Sequence, residues 1–160
     1  MKEISTIAIR RAKVSDIDSV VSLAMELMKM HAKQDPLFEM KIGVRPVYKK
    51  YFIEGLRSSK KILLIARDRE IVVGYILAVY SERKPIFKIK NIGVVNEIYI
   101  LPEYRKQGIA RKLLEEIDNW FKKKNLHHSQ LFVHGSNISA QKTWKALGFK
   151  SYMSAMHRSL

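Results

Sequence analysis

One carboxylate, Glu97, interrupts a largely apolar run that extends from Val94 to Leu101. A polar group without a partner costs on the order of 2 to 7 kcal/mol when it leaves water, so a carboxylate in a buried strand needs a partner or a function. Burial also raises the pKa of a carboxyl group, which makes it a better base near neutrality. The sequence therefore leaves two interpretations of Glu97: a general base, or a structural ion pair with Lys88 or Lys90.

A basic turn that contains glycine follows this run and continues into a helical pattern. Glycine lets the backbone approach a phosphate closely, and a helix N-terminus adds unpaired N–H groups and the positive end of the helix dipole. We therefore predict a phosphate or pyrophosphate site here, the alternative being a solvated basic loop. Neither GxxxxGK[ST] nor GxGxxG is present, which argues against ATP hydrolysis and dinucleotide binding. The residues of this basic turn are Arg105, Lys106, Gln107, Gly108, Ile109, Ala110 and Arg111.

The elements that position these residues follow from hydrophobic periodicity. The predicted order is strand, two helices, three strands, helix, strand, helix and strand. The first strand covers residues 4–12, the first helix begins at Ser15 as N-cap, and the last strand is expected within residues 150–160. The strands within residues 61–80 are joined too tightly for helical crossovers, which argues against a doubly wound parallel sheet. The predicted fold class is mixed α/β, of the α+β kind.

Length and composition limit the class of protein. A chain of 160 residues favours a single domain over 1–160. It has no cysteine, which excludes disulfides, thiolate zinc sites and a cysteine nucleophile, and its five histidines lack metal-ligand spacing, so no metal is expected. No apolar run approaches the roughly 20 residues that cross a bilayer, and no secretory signal is expected. We expect a cytoplasmic protein without a membrane partner.

The charge is strongly unbalanced. Lysine and arginine number 30 against 15 aspartates and glutamates, which gives a net charge of +15. Such a field attracts anions, among them nucleotides, phosphorylated cofactors, nucleic acid and acidic proteins. The alternative is a lysine-rich surface of the kind found in proteins from hot environments.

Residues 97–114 resemble the acetyl-CoA motif of the GNAT superfamily of N-acetyltransferases. The family pattern is Arg or Gln, two residues, Gly, one residue, then Gly or Ala, and it is met by Arg105, Gly108 and Ala110. Because the predicted order of strands and helices is also the family's, the resemblance extends over nearly the whole chain.

A second family segment lies at the family's separation from the first. Its pattern is Asn, two residues, Ala, three residues, usually Tyr, three residues, then Gly-Phe. Asn137, Ala140, Gly148 and Phe149 match it, whereas Trp144 stands in place of the tyrosine. Two linked motifs are far more specific than either alone.

The resemblance implies a central, mostly antiparallel twisted sheet of six to seven strands flanked by four helices. Such a sheet splays beside its fourth strand, where the pantetheine arm of acetyl-CoA pairs like an added strand. The backbone of Ile98, Tyr99 and Ile100 would then pair with pantetheine and the acetyl carbonyl, and the basic turn would enclose the pyrophosphate. Asn137 would border the pantetheine arm, serve as a helix N-cap, or do both. Trp144 would line the cofactor or pack in the core.

The resemblance also implies a reaction, the transfer of an acetyl group from acetyl-CoA to a primary amine. The transfer is direct, in a ternary complex, because no cysteine could carry the acetyl group. Glu97 would accept the proton of the amine, and a backbone N–H of the central strand would stabilise the oxyanion. An indole is not a useful acid, so Trp144 leaves thiolate protonation to Tyr152 or to water.

The acceptor itself is not named by the sequence. Residues 35–38, 48–52 and 83–90 fall where the family builds its acceptor site, and their mixed aromatic and basic character fits an acidic or amphipathic acceptor. Small-molecule amines and protein amines both stay open, as do longer acyl groups. The rival class is a basic module that binds nucleic acid or coenzyme A with degenerate catalysis. We do not expect nucleic acid as the partner, and many relatives form homodimers.

Overall fold

A computed structural model describes residues 6–160, so Ile4 and Ser5 of the first predicted strand lie outside the described residues. The order of elements agrees with the predicted order as far as residue 146. The elements are β1 (Ile7–Arg11), α1 (Ile17–Gln34), α2 (Arg45–Arg57), β2 (Lys61–Asp68), β3 (Ile71–Glu82), β4 (Asn91–Ile100), α3 (Ile109–Lys123), β5 (Ser129–Leu131) and α4 (Ile138–Ala146). Short 3-10 turns occupy Val14–Asp16, Pro36–Phe38 and Pro102–Tyr104. In residues 6–160, no helix combines the length and the apolar character needed to cross a membrane.

The strands form one mixed sheet in the order β1-β2-β3-β4-β5. The first four are antiparallel neighbours, whereas β5 runs parallel to β4 and pairs with it only from Gly93 to Val95. β4 continues to Ile100 without a strand on that side among the described residues. The sheet is therefore open beside the far half of its fourth strand.

Each face of the sheet carries its own hydrophobic core. On one face, α3 packs Leu113 and Ile117 against the strands, and both side chains are fully buried. On the other face, α1 and α2 supply Val20, Val21 and Phe52. Helices on both faces fit the near-continuous apolar runs of β2, β3 and β4, because a strand covered on both sides has no polar face.

Asp16, rather than the predicted Ser15, fixes the entry into α1. Its carboxylate accepts hydrogen bonds from the Arg10 guanidinium at 2.7 and 2.9 Å and from the backbone N–H of Lys13 at 2.7 Å. These bonds, the Arg10 contact foremost, hold the pKa of Asp16 below its usual value. The arrangement ties the start of α1 to β1.

The predicted last strand is wrong. Residues 150–160 have no regular secondary structure, and the sheet has five strands in the described residues, not the six to seven expected. A strand is held by hydrogen bonds to a neighbouring strand. None of the backbone hydrogen bonds within residues 6–160 includes this segment, so an apolar pattern alone did not suffice to form a strand there.

The packing of α3 on β4 can be tested at Gly93, which lies against the Phe121 ring. A Cβ added at Gly93 would overlap the Phe121 ring, whereas one added at Gly135 would meet nothing within 4 Å. We expect Gly93→Ala to lower the free energy of unfolding by about 1 to 3 kcal/mol through overpacking. Denaturant unfolding measures it, with Gly135→Ala as the matched control. Equal stability of the two variants would contradict the close packing of α3 on β4.

Candidate active site

A β-bulge at Asn96 determines which face of the sheet Glu97 occupies. Ala78 of β3 lies opposite Val95 of β4, and the preceding Leu77 lies opposite Glu97, so Asn96 is an extra residue in β4. Side chains alternate along a strand, and one inserted residue reverses the alternation of everything that follows.

The reversal is visible in the packing of β4. Val95 contacts the core under α3, whereas Tyr99 packs into the core under α1 and α2. Regular alternation would place Glu97 on the same face as Val95. With the bulge, Glu97 shares the face of Tyr99 and lies among side chains supplied by α2 and β3.

Tyr75 of β3 is the direct partner of Glu97. Its hydroxyl donates a hydrogen bond of 2.8 Å to Glu97 Oε2, and the Tyr75 side chain is fully buried. Burial raises the pKa of Glu97, and the hydrogen bond from Tyr75 opposes part of that rise. Burial, followed by the charge of Glu97, holds the pKa of Tyr75 well above its usual value, so the phenol stays a donor. The carboxylate is therefore held in one orientation with a pKa moved toward neutrality.

The ion pair considered for Glu97 is not formed. Lys88 and Lys90 are exposed in the connection between β3 and β4, and no ion pair within residues 6–160 includes Glu97. A half-buried carboxylate without a cationic partner is available to accept a proton from a bound molecule.

Two tyrosines of α2 complete the surroundings of Glu97. Burial, assisted by the charge of Glu97, raises the pKa of Tyr48 to about 12. Burial also raises the pKa of Tyr51, and the nearby Asn96 side chain opposes part of that rise. The sequence had placed residues 48–52 at the acceptor site, but it gave no role to Tyr75. The signal was present, because a phenol in a buried strand needs a hydrogen-bond partner just as Glu97 does.

The basic turn has the backbone of an anion site. Gly108 is the N-cap of α3 with φ of 78°, and Lys106 also has a positive φ, of 60°. A Cβ on Gly108 would meet nothing within 4 Å, so the space above the helix N-terminus is open. Lys106, Gln107 and Arg111 are exposed around it, whereas the Ile109 side chain is buried and anchors the turn in the core.

Arg105 links this turn to the open edge of β4. Its Nε donates a hydrogen bond of 2.8 Å to the carbonyl oxygen of Ile100, and its guanidinium lies 5.3 Å from the centroid of the Tyr99 ring. The turn and the unpaired part of β4, with Ile98, Tyr99 and Ile100, are thus one continuous surface. A free strand edge ending at a helix N-terminus can pair an extended chain and hold a phosphate at its end.

Two residues of the second motif have evident structural roles. The Asn137 side chain accepts a hydrogen bond of 3.1 Å from the backbone N–H of Ala140, which confirms the N-cap. Trp144 is buried in the core under α3, with its ring centroid 5.5 Å from that of Phe149. The indole therefore packs in the core, and contacts of Asn137 and Trp144 with a cofactor stay predictions.

Tyr152 lies in the exposed segment after α4. Its side chain is 71% exposed, and its hydroxyl donates a hydrogen bond of 2.6 Å to Oε1 of Gln130 on β5. The bond places the phenol beside β5, the strand that borders the opening of the sheet. Its part in protonating a thiolate stays a prediction.

A second polar cluster joins the loop after α1 to the end of β5. His134 Nδ1 lies 2.8 Å from the Ser136 hydroxyl, and its Nε2 lies 3.4 Å from Asp35 Oδ2. His157 Nε2 approaches the same oxygen to 3.1 Å. The backbone N–H of Leu37, with smaller contributions from the histidines, lowers the pKa of Asp35. The cluster ties Asp35 to the loop after β5 and to the segment after α4. No group of three or more metal-ligating side chains arranged to hold an ion occurs in the part of the chain described here.

Comparison with known proteins agrees with this geometry. Residues 25–149 match the acetyltransferase (GNAT) family. An uncharacterised N-acetyltransferase of Archaeoglobus fulgidus is 29% identical over 134 residues, which cover 84% of this chain and 86% of the relative. An N-alpha-acetyltransferase of Sulfurisphaera tokodaii is 27% identical over 93% of this chain and 83% of its own length.

The fold recurs in a solved enzyme. The aminoglycoside N-acetyltransferase AAC(6')-Iy in complex with CoA superposes with a TM-score of 0.79 at 17% identity, over 100% of this chain and 98% of that one. At this identity the likeness shows the fold.

Proposed function

This chain belongs to the acetyltransferase (GNAT) family and uses acetyl-CoA as acetyl donor to an amine, and we propose that the amine is the amino terminus of a peptide. The single observation that supports transfer to an amine is Glu97, held by Tyr75 on the bulge of β4 and without a cationic partner. The N-alpha-acetyltransferase name of the Sulfurisphaera relative supports the choice of acceptor. A small-molecule amine is the alternative acceptor.

Glu97 would act first. An alkyl ammonium with a pKa near ~10 is mostly charged at neutral pH and attacks a thioester only after it loses a proton. The raised pKa of Glu97 suits it to accept that proton, while Tyr75 keeps the carboxylate aimed. The freed amine then forms a bond to the acetyl carbon, and the bond from that carbon to sulfur breaks. The nitrogen gives up its second proton, which offsets the proton that the departing thiolate takes from Tyr152 or water, and Glu97 returns its own proton to solvent.

Two steps remain, the stabilisation of the oxyanion and the protonation of the thiolate. A backbone N–H between Ile98 and Ile100 would donate to the developing oxyanion, which a preorganised donor stabilises without reorganisation. Tyr152 or water would protonate the departing thiolate, whose conjugate acid has a pKa near ~8.5. The Trp144 indole is not a useful acid, and its packing in the core supports leaving it out of this step.

The residues present fit acetyl-CoA. The open edge of β4 offers backbone groups to the pantetheine amides, with Asn137 bordering the arm at the neighbouring junction. The basic turn offers an uncovered helix N-terminus, two residues of positive φ and exposed cations to the pyrophosphate. Coenzyme A would therefore lie along β4 with its thioester near Glu97.

We also propose a cytoplasmic location and a homodimer. The absence of cysteine supports a reducing compartment. Exposed apolar side chains support self-association; they are those of Phe132, just after β5, and of Met153 and Met156, in the segment after α4.

An acceptor assay tests the proposed function. Purified protein, acetyl-CoA and a panel of peptides and small amines would be combined, and mass spectrometry would locate any acetyl group. We expect acetylation of peptide amino termini. Acetylation of small amines alone would overturn the acceptor class. Steeply salt-dependent nucleic-acid binding without any acetyl transfer would favour the rival class of binding module.

A further inference from the structure

Two opposite charges on the α1 and α2 face of the sheet have no ionic partner. Glu97 is one, and Lys61 at the start of β2 is the other, since no ion pair among residues 6–160 includes it. The Lys61 ammonium lies over the Tyr51 ring instead, with Nζ 4.6 Å from the ring centroid. The pair is therefore one anion and one cation, each half-buried and each free to meet a bound molecule.

Other lysines, in α2 and just before β2, are paired. Lys49 Nζ lies 2.9 Å from Asp18 Oδ1, and Lys60 Nζ lies 2.6 Å from Glu82 Oε1. Lys50 lies 3.8 Å from Glu54 one helical turn away. Glu54 and Glu82 are thus each paired with a lysine. Glu97 is a single unpaired carboxylate, which is too little negative charge to attract a polycationic acceptor.

The strand register gives the separation of the two charges. Leu63 of β2 pairs with Leu77 of β3, which pairs with Glu97 of β4. Lys61 precedes Leu63 by two positions and so shares its face. Two strand spacings and two residues place Lys61 and Glu97 on the order of 12 Å apart between backbones.

Tyr51 lies between the two charges. Its ring contacts the Lys61 ammonium, and its hydroxyl is close enough to Asn96 and Glu97 for both to affect its pKa. The ring face turned to Lys61 already carries a cation, so a second ammonium would be repelled there. An anion would instead be attracted to Lys61, and this attraction is strengthened by partial burial.

We propose that Glu97, Tyr51 and Lys61 form a two-charge acceptor subsite that selects a primary amine carrying an anionic group. The ammonium enters beside Glu97, and the anion of the same acceptor lies toward Lys61. In a peptide, an extended residue spans about 3.3 Å, so an acidic side chain at the second or third position reaches Lys61. The inference rests on the proposed function and names the acceptor class: an acidic peptide amino terminus, and not a polyamine.

Peptides that differ only at the third position test the selection. With Asp, Ala or Lys there, kcat/KM of the unaltered protein is expected to fall in that order, by about tenfold from Asp to Lys. The preference should shrink at high salt, because the interaction is electrostatic. Spermidine should be a poorer acceptor than the Asp peptide. Equal kcat/KM for the three peptides would overturn the subsite.

A matched pair of variants assigns the effect to Lys61. Lys61→Met is expected to abolish the preference for Asp over Lys, and Lys61→Arg to retain it. Lys60→Met removes the adjacent lysine. Like Lys61, Lys60 lies near a tyrosine ring, with its Nζ 5.9 Å from the Tyr80 centroid, but unlike Lys61 it is paired with an acidic residue, Glu82. This control should leave the preference unchanged. Loss of the preference in the Lys60 variant, or its persistence in Lys61→Met, would overturn the assignment.

A binding measurement separates this proposal from the proposed function. Conjugates in which coenzyme A is joined through an acetyl bridge to each peptide amine can be titrated calorimetrically without turnover. Tighter binding of the Asp conjugate than of the Lys conjugate supports the subsite, and equal affinity refutes it. If no free peptide is acetylated while the Asp conjugate binds best, the proposed function fails and the subsite stands.

Discussion

Glu97→Gln is expected to lower kcat by about 10²- to 10⁴-fold, the usual contribution of a general base. The amide keeps the size of the side chain and its oxygen still accepts the Tyr75 hydrogen bond, but it cannot accept a proton. In the unaltered protein, kcat should fall as pH drops through the raised pKa of Glu97, because the protonated carboxyl is no longer a base. The variant should lose this acid limb. Steady-state rates across pH measure both effects.

Tyr75→Phe tests the role of Glu97 by removing the hydroxyl that donates a hydrogen bond to its carboxylate. The Tyr75 hydrogen bond lowers the pKa of Glu97 against the effect of burial, so its removal should move the acid limb of the kcat profile to higher pH. Tyr80→Phe, on the same strand but remote from Glu97 in the sheet register, should leave the profile in place. Full activity of Glu97→Gln at every pH would show that another group accepts the proton.

Gly108→Val is expected to weaken acetyl-CoA binding by at least about tenfold. The open space above Gly108 is where the pyrophosphate would approach the helix N-terminus, and a branched side chain would fill it. A β-branched residue at φ of 78° also strains the backbone by about 1 to 2 kcal/mol. Calorimetric titration with acetyl-CoA gives the change in Kd.

Gly43→Val is the matched control, because Gly43 has φ of 74° and equally open surroundings. Both variants should lose similar stability, and only Gly108→Val should lose affinity for acetyl-CoA. An unchanged Kd in Gly108→Val, or an equal loss in both variants, would contradict a phosphate site at this turn.

Local sequence patterns identified the candidate site residues, but they did not predict which face of the sheet Glu97 occupies. The basic turn and α3 could be read from a glycine, several cations and a helical repeat that includes Leu113 and Ile117, since all of these signals lie close together in the sequence. Glu97 stood out because it was a carboxylate in an apolar strand. Its face could not be predicted, because the bulge at Asn96 exists only in the pairing of β4 with β3.

The remaining differences also depend on contacts between distant segments. The partner of Glu97 is Tyr75, 22 positions away, and nothing in the spacing specifies that pair. Residues 150–160 have an apolar content that suggested a strand, but a strand also needs a free neighbour. The N-cap was one of the roles that the sequence left open for Asn137, and it could be proposed because capping is a local hydrogen bond, here from the backbone N–H of Ala140.

Calorimetric titration of the purified protein with acetyl-CoA, compared with dephospho-CoA and with pantetheine, tests the central claim most directly. The claim is that the open edge of β4 holds the pantetheine arm while the basic turn holds the pyrophosphate. The account predicts a one-to-one complex with acetyl-CoA, little loss of affinity for dephospho-CoA, which keeps the pyrophosphate, and much weaker binding of pantetheine, which lacks it. Absence of binding, or equal affinity for acetyl-CoA and pantetheine, would contradict it.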